Sequence, residues 1–405
     1  MQEFHKIRRL PPYVFEQVNR LKASARASGA DIIDLGMGNP DLPTPQAIID
    51  KMTETAQDPR AHRYSASKGI SGLRKAQAAY YGRRFGVKLN PDTQVVATLG
   101  SKEGFANMAQ AITAPGDVVL VPNPTYPIHS FGFIMSGAVV RSISAEPDET
   151  FFPALERAVR HSIPSPTALI LNYPSNPTAR LATLDFYRDV VAFARKHDII
   201  LLSDLAYSEI YFDDAPPPSI LQVPGAMEIA VEFTSMSKTY SMPGWRIGFA
   251  VGNERLVGAL TRVKSYLDYG AFTPIQVAAA FAINTQDQEI ERARKVYAQR
   301  RDVMVETFSR AGWDVPPPPA TMFAWAPIPE KFRHLGSLEF SKLLVEKASV
   351  AVSPGVGFGE FGDDHVRIAL VENEHRIRQA ARNIKKFLST ADDTLHNVIS
   401  LDARR

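Results

Sequence analysis

Cysteine is absent from this sequence of 405 residues, and its absence excludes several kinds of chemistry. Without cysteine the chain can form no disulfide bond, no thiolate nucleophile and no cysteine-ligated zinc site. The absence of disulfides is typical of proteins of the cytoplasm, where we expect this protein to lie. The sequence also lacks an apolar run long enough to span a membrane, and residues 1–15 lack the apolar segment of a signal peptide. We therefore expect neither export nor membrane insertion.

An excess of charge of one sign is missing as well. The chain carries 46 basic and 43 acidic residues, which gives a formal net charge of +3. The dense basic cluster Arg292–Arg301 also contains Val296 and Tyr297, so it is typical of a solvated helix face rather than of a nucleic-acid surface. We therefore expect no binding of nucleic acid, and the pattern of potential ligands predicts no metal site.

Short apolar runs alternate with longer helical patterns through the middle of the chain. Most of the runs are continuously apolar, which is typical of strands buried on both faces of a mostly parallel sheet. Ligands of such open α/β sheets bind beyond the carboxyl ends of the strands. Helices such as Ser101–Ile112 and Leu184–Lys196 are predicted to cover the sheet. The predicted strands are Val95–Leu99, Val118–Val121, Ala138–Ile143, Ala168–Leu171, Ile199–Ser203, Ile229–Thr234 and Ile247–Val251.

The length of the chain and the placement of its prolines predict two domains. A chain of 405 residues, 45% of them hydrophobic, is too long for a single core. A helical pattern that starts at Thr273 ends near Gly312, and the run of prolines that follows cannot lie inside a helix. The predicted divisions are a segment at 1–40 that packs with the small domain or a partner subunit, a large domain at 41–311, and a small α/β domain at 312–405 with a loose tail from about residue 390.

The most informative segment is Ser235–Gly248, which places one lysine beside hydroxyl groups and an arginine. Lys238 follows the apolar run Ile229–Thr234, so its amine is expected at the carboxyl end of a buried strand. Partial desolvation and the cation of Arg246 would lower the pKa of the lysine and leave the free amine that Schiff-base chemistry requires. Ser235, Ser237 and Arg246 would form an anion site next to that amine. An aldehyde cofactor with a phosphate group needs both features, and pyridoxal 5'-phosphate is such a cofactor.

This segment resembles the cofactor-lysine signature of class I aminotransferases, which are pyridoxal-phosphate enzymes of fold type I. The resemblance implies a large domain with a mostly parallel seven-stranded sheet sandwiched by helices, and a smaller α/β domain. It also implies that Lys238 holds the cofactor first and then acts as the general base. The motifs that carry the resemblance cover nearly the whole chain: RLPPYVF, MGNPD, YSASKGI, GSKEG, NPTYPIH, YPSNPTA, DLAY, GWRIGF, KSYLDYGAFTP and SPGVGFGEFGD.

Several polar and aromatic residues follow the predicted strands. The carboxylate of Asp204 would emerge from a buried strand, where it can pair with a pyridine nitrogen, although such an aspartate is also common as a cap or turn residue. Tyr126 lies between prolines and is either an aromatic ring stacked on the cofactor or an ordinary packed loop residue. The resemblance assigns Asp204 to the ring nitrogen of the cofactor, and Tyr207 and Asn176 to its ring oxygen.

A glycine-serine-lysine turn directly after a predicted strand offers a phosphate site. The backbone amides of Gly100, Ser101 and Lys102 and the serine hydroxyl can bind a dianion at the positive end of a helix dipole. An ordinary helix start with Ser101 as the N-cap is an equally good account of this turn. In the family the turn holds the cofactor phosphate, and Ser235 and Arg246 complete the cup.

Substrate recognition is expected from Arg367, in the segment DDHVRIAL. Polar and apolar residues alternate there as in a half-exposed strand, so the side chain would face a cleft. A planar guanidinium suits a bidentate grip on an α-carboxylate, and the alternative is a surface arginine paired with an acidic neighbour. The resemblance implies that Gly38 and Asn176 also contact the substrate. It further implies that Tyr64 reaches across the interface of a homodimer to the partner's phosphate.

The resemblance implies ping-pong transamination between amino acids and 2-oxo acids. The motifs are most similar to those of bacterial alanine aminotransferases, which implies conversion of L-alanine and 2-oxoglutarate to pyruvate and L-glutamate in amino-acid biosynthesis. The segment Ser265–Pro274 contains no arginine for a second carboxylate, which argues against a dedicated aspartate enzyme. Tyr13, Tyr269 and Lys264 are candidates for binding the distal carboxylate of glutamate.

Three alternatives to alanine transamination stay open. An aminotransferase for methionine, aromatic amino acids or diaminopimelate would use the same residues. A pyridoxal-phosphate C–S lyase would share Lys238 and Asp204 but would release ammonia and pyruvate from cystathionine without a keto-acid acceptor. A non-enzymatic regulator with an aminotransferase-like domain would carry a DNA-binding helix-turn-helix ahead of the fold, and we expect no room for one before Leu35.

Overall fold

The computed structural model describes residues 4–402, with side chains described for residue 4 and for residues 6–390. The tail predicted to be loose falls largely on residues whose side chains lie outside this set, so it stays a prediction. The helices of the described residues are α1 His5–Arg8, α2 Val14–Ala27, α3 Gln46–Ala56, α4 Ser71–Phe85, α5 Ser101–Ile112, α6 Ile128–Ser136, α7 Phe151–Arg160, α8 Leu184–Lys196, α9 Met236–Thr239, α10 Glu254–Leu267, α11 Thr273–Thr285, α12 Asp287–Arg310, α13 Gly336–Ala348 and α14 Glu374–Asp402. The strands are β1 Ile33–Asp34, β2 Val95–Thr98, β3 Val118–Asn123, β4 Val139–Ser144, β5 Pro166–Asn172, β6 Ile200–Asp204, β7 Ala230–Ser235, β8 Gly248–Gly252, β9 Phe323–Pro327, β10 Val350–Ala351, β11 Ser353–Pro354 and β12 His365–Ala369.

A seven-stranded sheet dominates the first part of the chain, in the order β2-β8-β7-β6-β5-β3-β4. Only β8 runs antiparallel to its neighbours, so the sheet is mostly parallel. These are the seven strands that the apolar runs predict, with ends that differ by a residue or two. The predicted helices α5 and α8 are also present with the predicted bounds. The α/β fold with a mostly parallel sheet is therefore confirmed.

Both faces of the central strands are buried, which explains why their sequences are continuously apolar. On β5, the side chains of Leu169 and Leu171 belong to one apolar cluster, and Ile170 between them belongs to the cluster on the other face. Burial of each such side chain contributes roughly 1.5–3 kcal/mol. At the edge of the sheet, β4 is more accessible, and Val139 is 48% exposed. Among residues 4–402, no helix combines the length and the apolar character needed to cross a membrane.

The chain divides into two compact units, and their boundaries differ from the predicted ones. The first unit consists of Met1–Leu10, Pro40–Arg294 and Pro319–Thr321, and the second of Pro11–Asn39, Lys295–Pro318 and Met322–Arg405. One boundary thus falls inside α12 rather than near Gly312, because the helical pattern continues across it. The N-terminal segment is itself divided, since residues 11–39 belong to the second unit and the residues before them to the first.

The second unit contains two small sheets and the helices that cover them. β11, β12 and β9 form an antiparallel sheet, and β1 pairs with β10 in parallel. Helices α2 and α13 pack together around Val18 and Val345. The two prolines in LPPYVF indicate a broken segment, so α2 is not expected from the sequence. The helix begins at Val14, directly after those prolines, where they no longer interrupt its hydrogen bonds.

Candidate active site

Lys238 lies directly after the end of a buried strand, as the sequence predicts. β7 ends at Ser235, whose hydroxyl accepts a hydrogen bond from the Ser237 backbone N–H at 3.2 Å and so caps the one-turn helix α9. The lysine is half-buried on that helix, and its Nζ lies 6.0 Å from the centroid of the Tyr207 ring. The amine therefore lies near the carboxyl ends of the parallel strands, close to the Tyr207 ring.

Asp204 is the last residue of β6 and is buried. Its Oδ1 accepts a hydrogen bond from the Ala206 backbone N–H at 3.1 Å, so the turn role considered from the sequence is present. Its Oδ2 lies 2.9 Å from Nε2 of His129, which is wholly buried. A backbone amide on one side and an imidazole on the other therefore fix the carboxylate at the sheet edge.

His129 belongs to this site, although the sequence analysis does not single it out. Its Nδ1 lies 2.8 Å from the Thr125 hydroxyl, and the Phe105 ring packs against the imidazole at 4.8 Å between centroids. A signal for this role exists in the sequence, because a histidine at the apolar start of a helix needs polar partners once it is buried. The imidazole, held in turn by Thr125, therefore positions the carboxylate of Asp204.

Tyr207, Asn176 and Tyr126 also lie on segments that follow strand ends. Asn172 ends β5 as the ladder partner of Asp204, and its Nδ2 donates to the Asn176 carbonyl at 3.0 Å. A turn thus follows β5, and it keeps Asn176 near the strand end where Asp204 lies. Tyr207 and Asn176 are buried, and the half-buried Tyr126 packs edge-to-face on His129 at 6.0 Å. The structure therefore brings these residues to the carboxyl ends of the parallel strands, where Asp204 lies.

The turn Gly100–Lys102, which we call the phosphate turn after its predicted role, begins at a glycine that no other residue could replace without strain. α5 starts at Ser101, and its cap residue is Gly100, with φ of 86° and no side-chain cap. The interpretation of Ser101 as the N-cap is therefore wrong, since the left-handed backbone before the helix requires glycine at the cap position. The first-turn amides of the helix, at Ser101 and the exposed Lys102, have no acceptor within the helix and are available to an anion.

Arg246 lies against this turn. Its Nη2 donates to the Leu99 carbonyl at 3.1 Å, and a Cβ built on Gly100 would lie 2.3 Å from the same nitrogen. Gly248 pairs with Ser235 in the ladder, and a Cβ on Gly248 would lie 2.8 Å from the Ser101 amide nitrogen. Only glycine therefore fits at positions 100 and 248. These two glycines lie between the Arg246 guanidinium, the start of α5 and the end of β7 that carries Ser235. These groups have the donor chemistry of a phosphate site.

Within the second unit, Arg367 is buried on the central strand of the small sheet. Its guanidinium carbon lies 4.0 Å from the centroid of the Phe323 ring and 4.7 Å from that of Phe358. Only 7% of the residue is exposed and its strand neighbours are buried too, so the expectations of a half-exposed strand and of a surface arginine are both wrong. The two edges of this strand pair with β9 and β11, and the side chain of Arg367 is buried because the Phe323 and Phe358 rings pack against its guanidinium.

Gly38 and Arg367 come together as the sequence analysis expects. A Cβ on Gly38 would lie 3.0 Å from Nη2 of Arg367 and 3.0 Å from the Phe323 ring. The same Nη2 lies 3.4 Å from the Gly36 carbonyl and 3.4 Å from the Ser353 hydroxyl. The guanidinium is therefore held in one orientation beside a backbone that has no side chain in the way.

The remaining candidates differ in their exposure. Tyr64 is 86% exposed and its ring lies 4.7 Å from that of Tyr269. Tyr13 is also exposed and packs edge-to-face on Phe15 in the second unit. Lys264 is wholly buried in the first unit and ion-paired with two carboxylates. The expectation that Lys264 binds the distal carboxylate of glutamate is therefore wrong, since its ammonium is enclosed and neutralised within the protein.

The comparison of this chain with known proteins agrees with the geometry of the site. The family model of aminotransferase class I and II matches residues 30–384. The chain belongs to this family. The aminotransferase is 82% identical over 405 residues to AatC of Rhizobium meliloti, with 100% of both chains covered. It is 51% identical over 384 residues to the glutamate-pyruvate aminotransferase AlaC of Escherichia coli, covering 95% of this chain and 93% of AlaC.

Two further relatives place the aminotransferase within this family. It is 41% identical over 389 residues to the LL-diaminopimelate aminotransferase of Natranaerobius thermophilus, covering 96% of this chain and 100% of the relative. Among solved structures, substrate-bound BacF of Bacillus subtilis superposes with a TM-score of 0.90 at 34% identity, covering 95% of this chain and 98% of BacF. The fold type I architecture, with its mostly parallel seven-stranded sheet, is therefore shared with a solved relative.

The aminotransferase is a pyridoxal-phosphate-dependent enzyme, as its family is. Its residues fit that cofactor, because Gly100 leaves room for Arg246 at a helix start and a buried carboxylate lies at the same sheet edge as the lysine amine. When bound, the cofactor supplies a carbonyl for the substrate amine and a ring that accepts electrons from the substrate Cα. Lys238, Asp204 and the phosphate turn are the residues that would hold it.

Proposed function

We propose that this aminotransferase converts L-alanine and 2-oxoglutarate to pyruvate and L-glutamate. The observation that carries the proposal is the identity of 51% with the glutamate-pyruvate aminotransferase AlaC, over 95% of the chain. The LL-diaminopimelate aminotransferases are less similar, at about 41% identity. We further propose that the enzyme works in the cytoplasm as a homodimer, in which Tyr64 reaches the partner's phosphate site. The exposure of Tyr64 supports this last role.

We infer that Lys238 moves the proton. Its amine would hold the cofactor and, when free, would act as the general base that removes a proton from the substrate Cα. The half-buried position at a strand end supports this role, because a partly desolvated amine is more easily kept neutral. Asp204 would keep the ring nitrogen protonated, and its contact with His129 would hold it in place. Tyr207 and Asn176 would bind the ring oxygen.

The other proposed contacts bind and orient. Ser101, Lys102, Ser235 and Arg246 would grip the phosphate, and Tyr126 would stack on the ring. Arg367, with the backbone of Gly38, would bind the α-carboxylate of the substrate in bidentate geometry. The stacking of the guanidinium between two aromatic rings supports this role, because a guanidinium held in one orientation loses less entropy on binding. Asn176 and Tyr13 are proposed to line the substrate site.

A half-reaction on the purified holoenzyme tests the proposed substrate. We expect L-alanine or L-glutamate alone to shift the absorbance of the bound cofactor rapidly to that of its aminated form, and L-aspartate, L-methionine, L-phenylalanine and LL-diaminopimelate to do so slowly. Lys238→Ala should abolish the shift, whereas Lys88→Ala, which removes an exposed lysine of the same unit, should leave it unchanged. A rapid response to LL-diaminopimelate and none to alanine would refute alanine specificity.

The same holoenzyme distinguishes transamination from C–S lysis. Incubation with cystathionine in the absence of a keto acid should release neither ammonia nor pyruvate. Sustained release of both, together with failure of the alanine half-reaction, would replace the proposed transamination by lyase chemistry.

A further inference from the structure

Lys264 carries a buried charge that the proposed reaction does not use. Its side chain is 0% exposed, and its Nζ lies 3.0 Å from Oε1 of Glu103 and 2.9 Å from Oδ2 of Asp268. Burial of an ammonium group is costly, and a helix that buried leucine at this position would avoid that cost. The two segments that the ammonium joins indicate what it does.

One carboxylate paired with Lys264, that of Glu103, binds the backbone immediately before the phosphate turn. Glu103 lies in the first turn of α5, and its Oε2 accepts a hydrogen bond from the Leu99 backbone N–H at 2.8 Å. The carbonyl of Leu99 accepts the hydrogen bond from Arg246 at 3.1 Å. Leu99 is thus held at both its amide and its carbonyl, directly before the glycine whose φ is 86°. The position of the turn therefore depends on where Glu103 is held. Lys264 holds it together with the side-chain amide of Asn107, which donates to the same Oε1.

The other carboxylate paired with Lys264, that of Asp268, lies in a loop and accepts hydrogen bonds there. Asp268 follows α10, and its Oδ1 accepts a hydrogen bond from the Gly270 backbone N–H at 2.7 Å. Its backbone carbonyl accepts a hydrogen bond from the Ser67 hydroxyl. The two segments joined in this way carry Tyr269 and Tyr64, whose rings are in contact. A single ammonium group therefore links the phosphate turn to the two segments that carry this exposed pair of tyrosines.

We propose that Lys264 is a positioning residue for the cofactor phosphate, acting through Glu103 on the turn at Leu99–Ser101. Without the ammonium, two carboxylates that now share one nitrogen would repel each other, because both are largely buried. Glu103 would then move toward solvent and release the Leu99 amide. The inference rests on the proposed role of this turn and of Arg246 in phosphate binding.

Pyridoxal, which lacks the phosphate, provides the readout that separates this role from a general loss of structure. We expect apo Lys264→Met to bind pyridoxal phosphate at least about tenfold more weakly than wild type, which corresponds to about 1.4 kcal/mol, and to bind pyridoxal as wild type does. Inorganic phosphate should compete correspondingly less well with pyridoxal phosphate. Arg262→Met is the matched control, since it removes an exposed cation from the same helix and should change neither affinity.

Equal weakening of both ligands, or no change in either, would overturn the inference. If Lys264→Met does not fold, Glu103→Gln serves as the second variant, because it removes the charge that Lys264 holds but keeps the shape of the side chain. A Glu103→Gln protein that retains the wild-type preference for pyridoxal phosphate over pyridoxal would also overturn it.

Arg246→Gln distinguishes failure of the inference from failure of the proposed phosphate site. Loss of phosphate preference in Arg246→Gln but not in the Lys264 and Glu103 variants would leave the site intact and refute only the positioning role. Retention of the preference in Arg246→Gln would show that the phosphate binds elsewhere, and would refute both.

Discussion

Two buried carboxyl groups lie on adjacent strands of the large sheet and differ in what surrounds them. Asp204 ends β6, where its Oδ2 meets an imidazole at 2.9 Å. Glu232 lies inside β7, where the groups that its carboxyl oxygens meet among the described residues are hydroxyl groups and a backbone amide. The groups around Glu232 are the Tyr81 hydroxyl at 3.0 Å, the Ser203 hydroxyl at 3.1 Å, the Ser219 hydroxyl at 2.5 Å and the Ile220 N–H at 3.2 Å.

The difference in position explains the difference in role. Burial raises the pKa of Glu232 from 4.5 to about 7, because the neutral donors around it offset only part of the desolvation of its charged form. Glu232 ties β7 to α4 and to the segment around Ser219, so its contacts hold the fold together. Asp204, at the strand end, has a carboxylate that a ligand beyond the sheet can use. The same functional group thus serves stability inside the sheet and chemistry at its edge.

The largest effect should come from Asp204→Asn. We expect kcat to fall by about a hundredfold to a thousandfold, because the amide cannot supply the negative charge that keeps a ring nitrogen protonated. The free energy of unfolding should change little, since the side-chain shape is kept. Steady-state kinetics and denaturant unfolding check the two halves. A variant that is inactive only because it unfolds would contradict the comparison.

Glu232→Ala should act in the opposite way. Removal of the carboxyl leaves several buried donors without their acceptor, so we expect a loss of about 3 kcal/mol in the free energy of unfolding. The kcat of the protein that remains folded should stay within about a factor of three of wild type. Urea titration and active-site counting by cofactor absorbance measure both. A fall in kcat as large as that of Asp204→Asn would contradict the proposal that Glu232 serves stability and Asp204 serves catalysis.

The raised pKa of Glu232 predicts a pH dependence with a definite sign. The folded protein binds this proton more tightly than the unfolded chain, so the contribution to stability is complete below pH 4.5 and declines as the pH rises towards about 7. The decline amounts to about 3 kcal/mol across that window. Unfolding free energies of wild type and Glu232→Gln at several pH values between 4.5 and 7.5 check it. A difference between the two proteins that does not vary with pH would contradict this origin.

The smallest effect is expected from His129→Gln. The variant removes the imidazole that positions Asp204, and a lost charge-assisted hydrogen bond corresponds to roughly a tenfold fall in kcat. The free energy of unfolding should fall by less than in Glu232→Ala. An unchanged kcat would mean that Asp204 needs no such support.

The sequence predicts the sheet and the edge residues well because each depends on local pattern. Continuously apolar runs mark the seven strands, and the polar residues that follow them reach one edge by topology alone. The turn at Gly100 shows where local pattern fails, since a serine next to a glycine indicates a serine cap, and only the backbone angle of 86° shows that the glycine occupies that position.

The other errors concern contacts between residues distant in sequence. Lys264 has the sequence context of an ordinary lysine near a helix end, and its burial follows from Glu103, more than a hundred and fifty residues earlier. The sequence does not predict His129 as a partner of Asp204 for the same reason, because the two are brought together only by the order of the strands, in which β5 lies between β3 and β6. The burial of Arg367 likewise depends on a distant residue, since the Phe323 ring packs against its guanidinium, which the alternation in DDHVRIAL does not show.

The reversed direction of β8 has a consequence for how the chain tolerates change. Because β7 and β8 form an antiparallel pair, the lysine that follows one strand and the arginine that precedes the other lie on a single short connection. The spacing between the amine and the cation is therefore set by the length of one loop rather than by the assembly of distant elements. Residues inserted in this loop would separate Lys238 from Arg246. Insertions in loops at the amino ends of the parallel strands would leave the distance between these two groups unchanged.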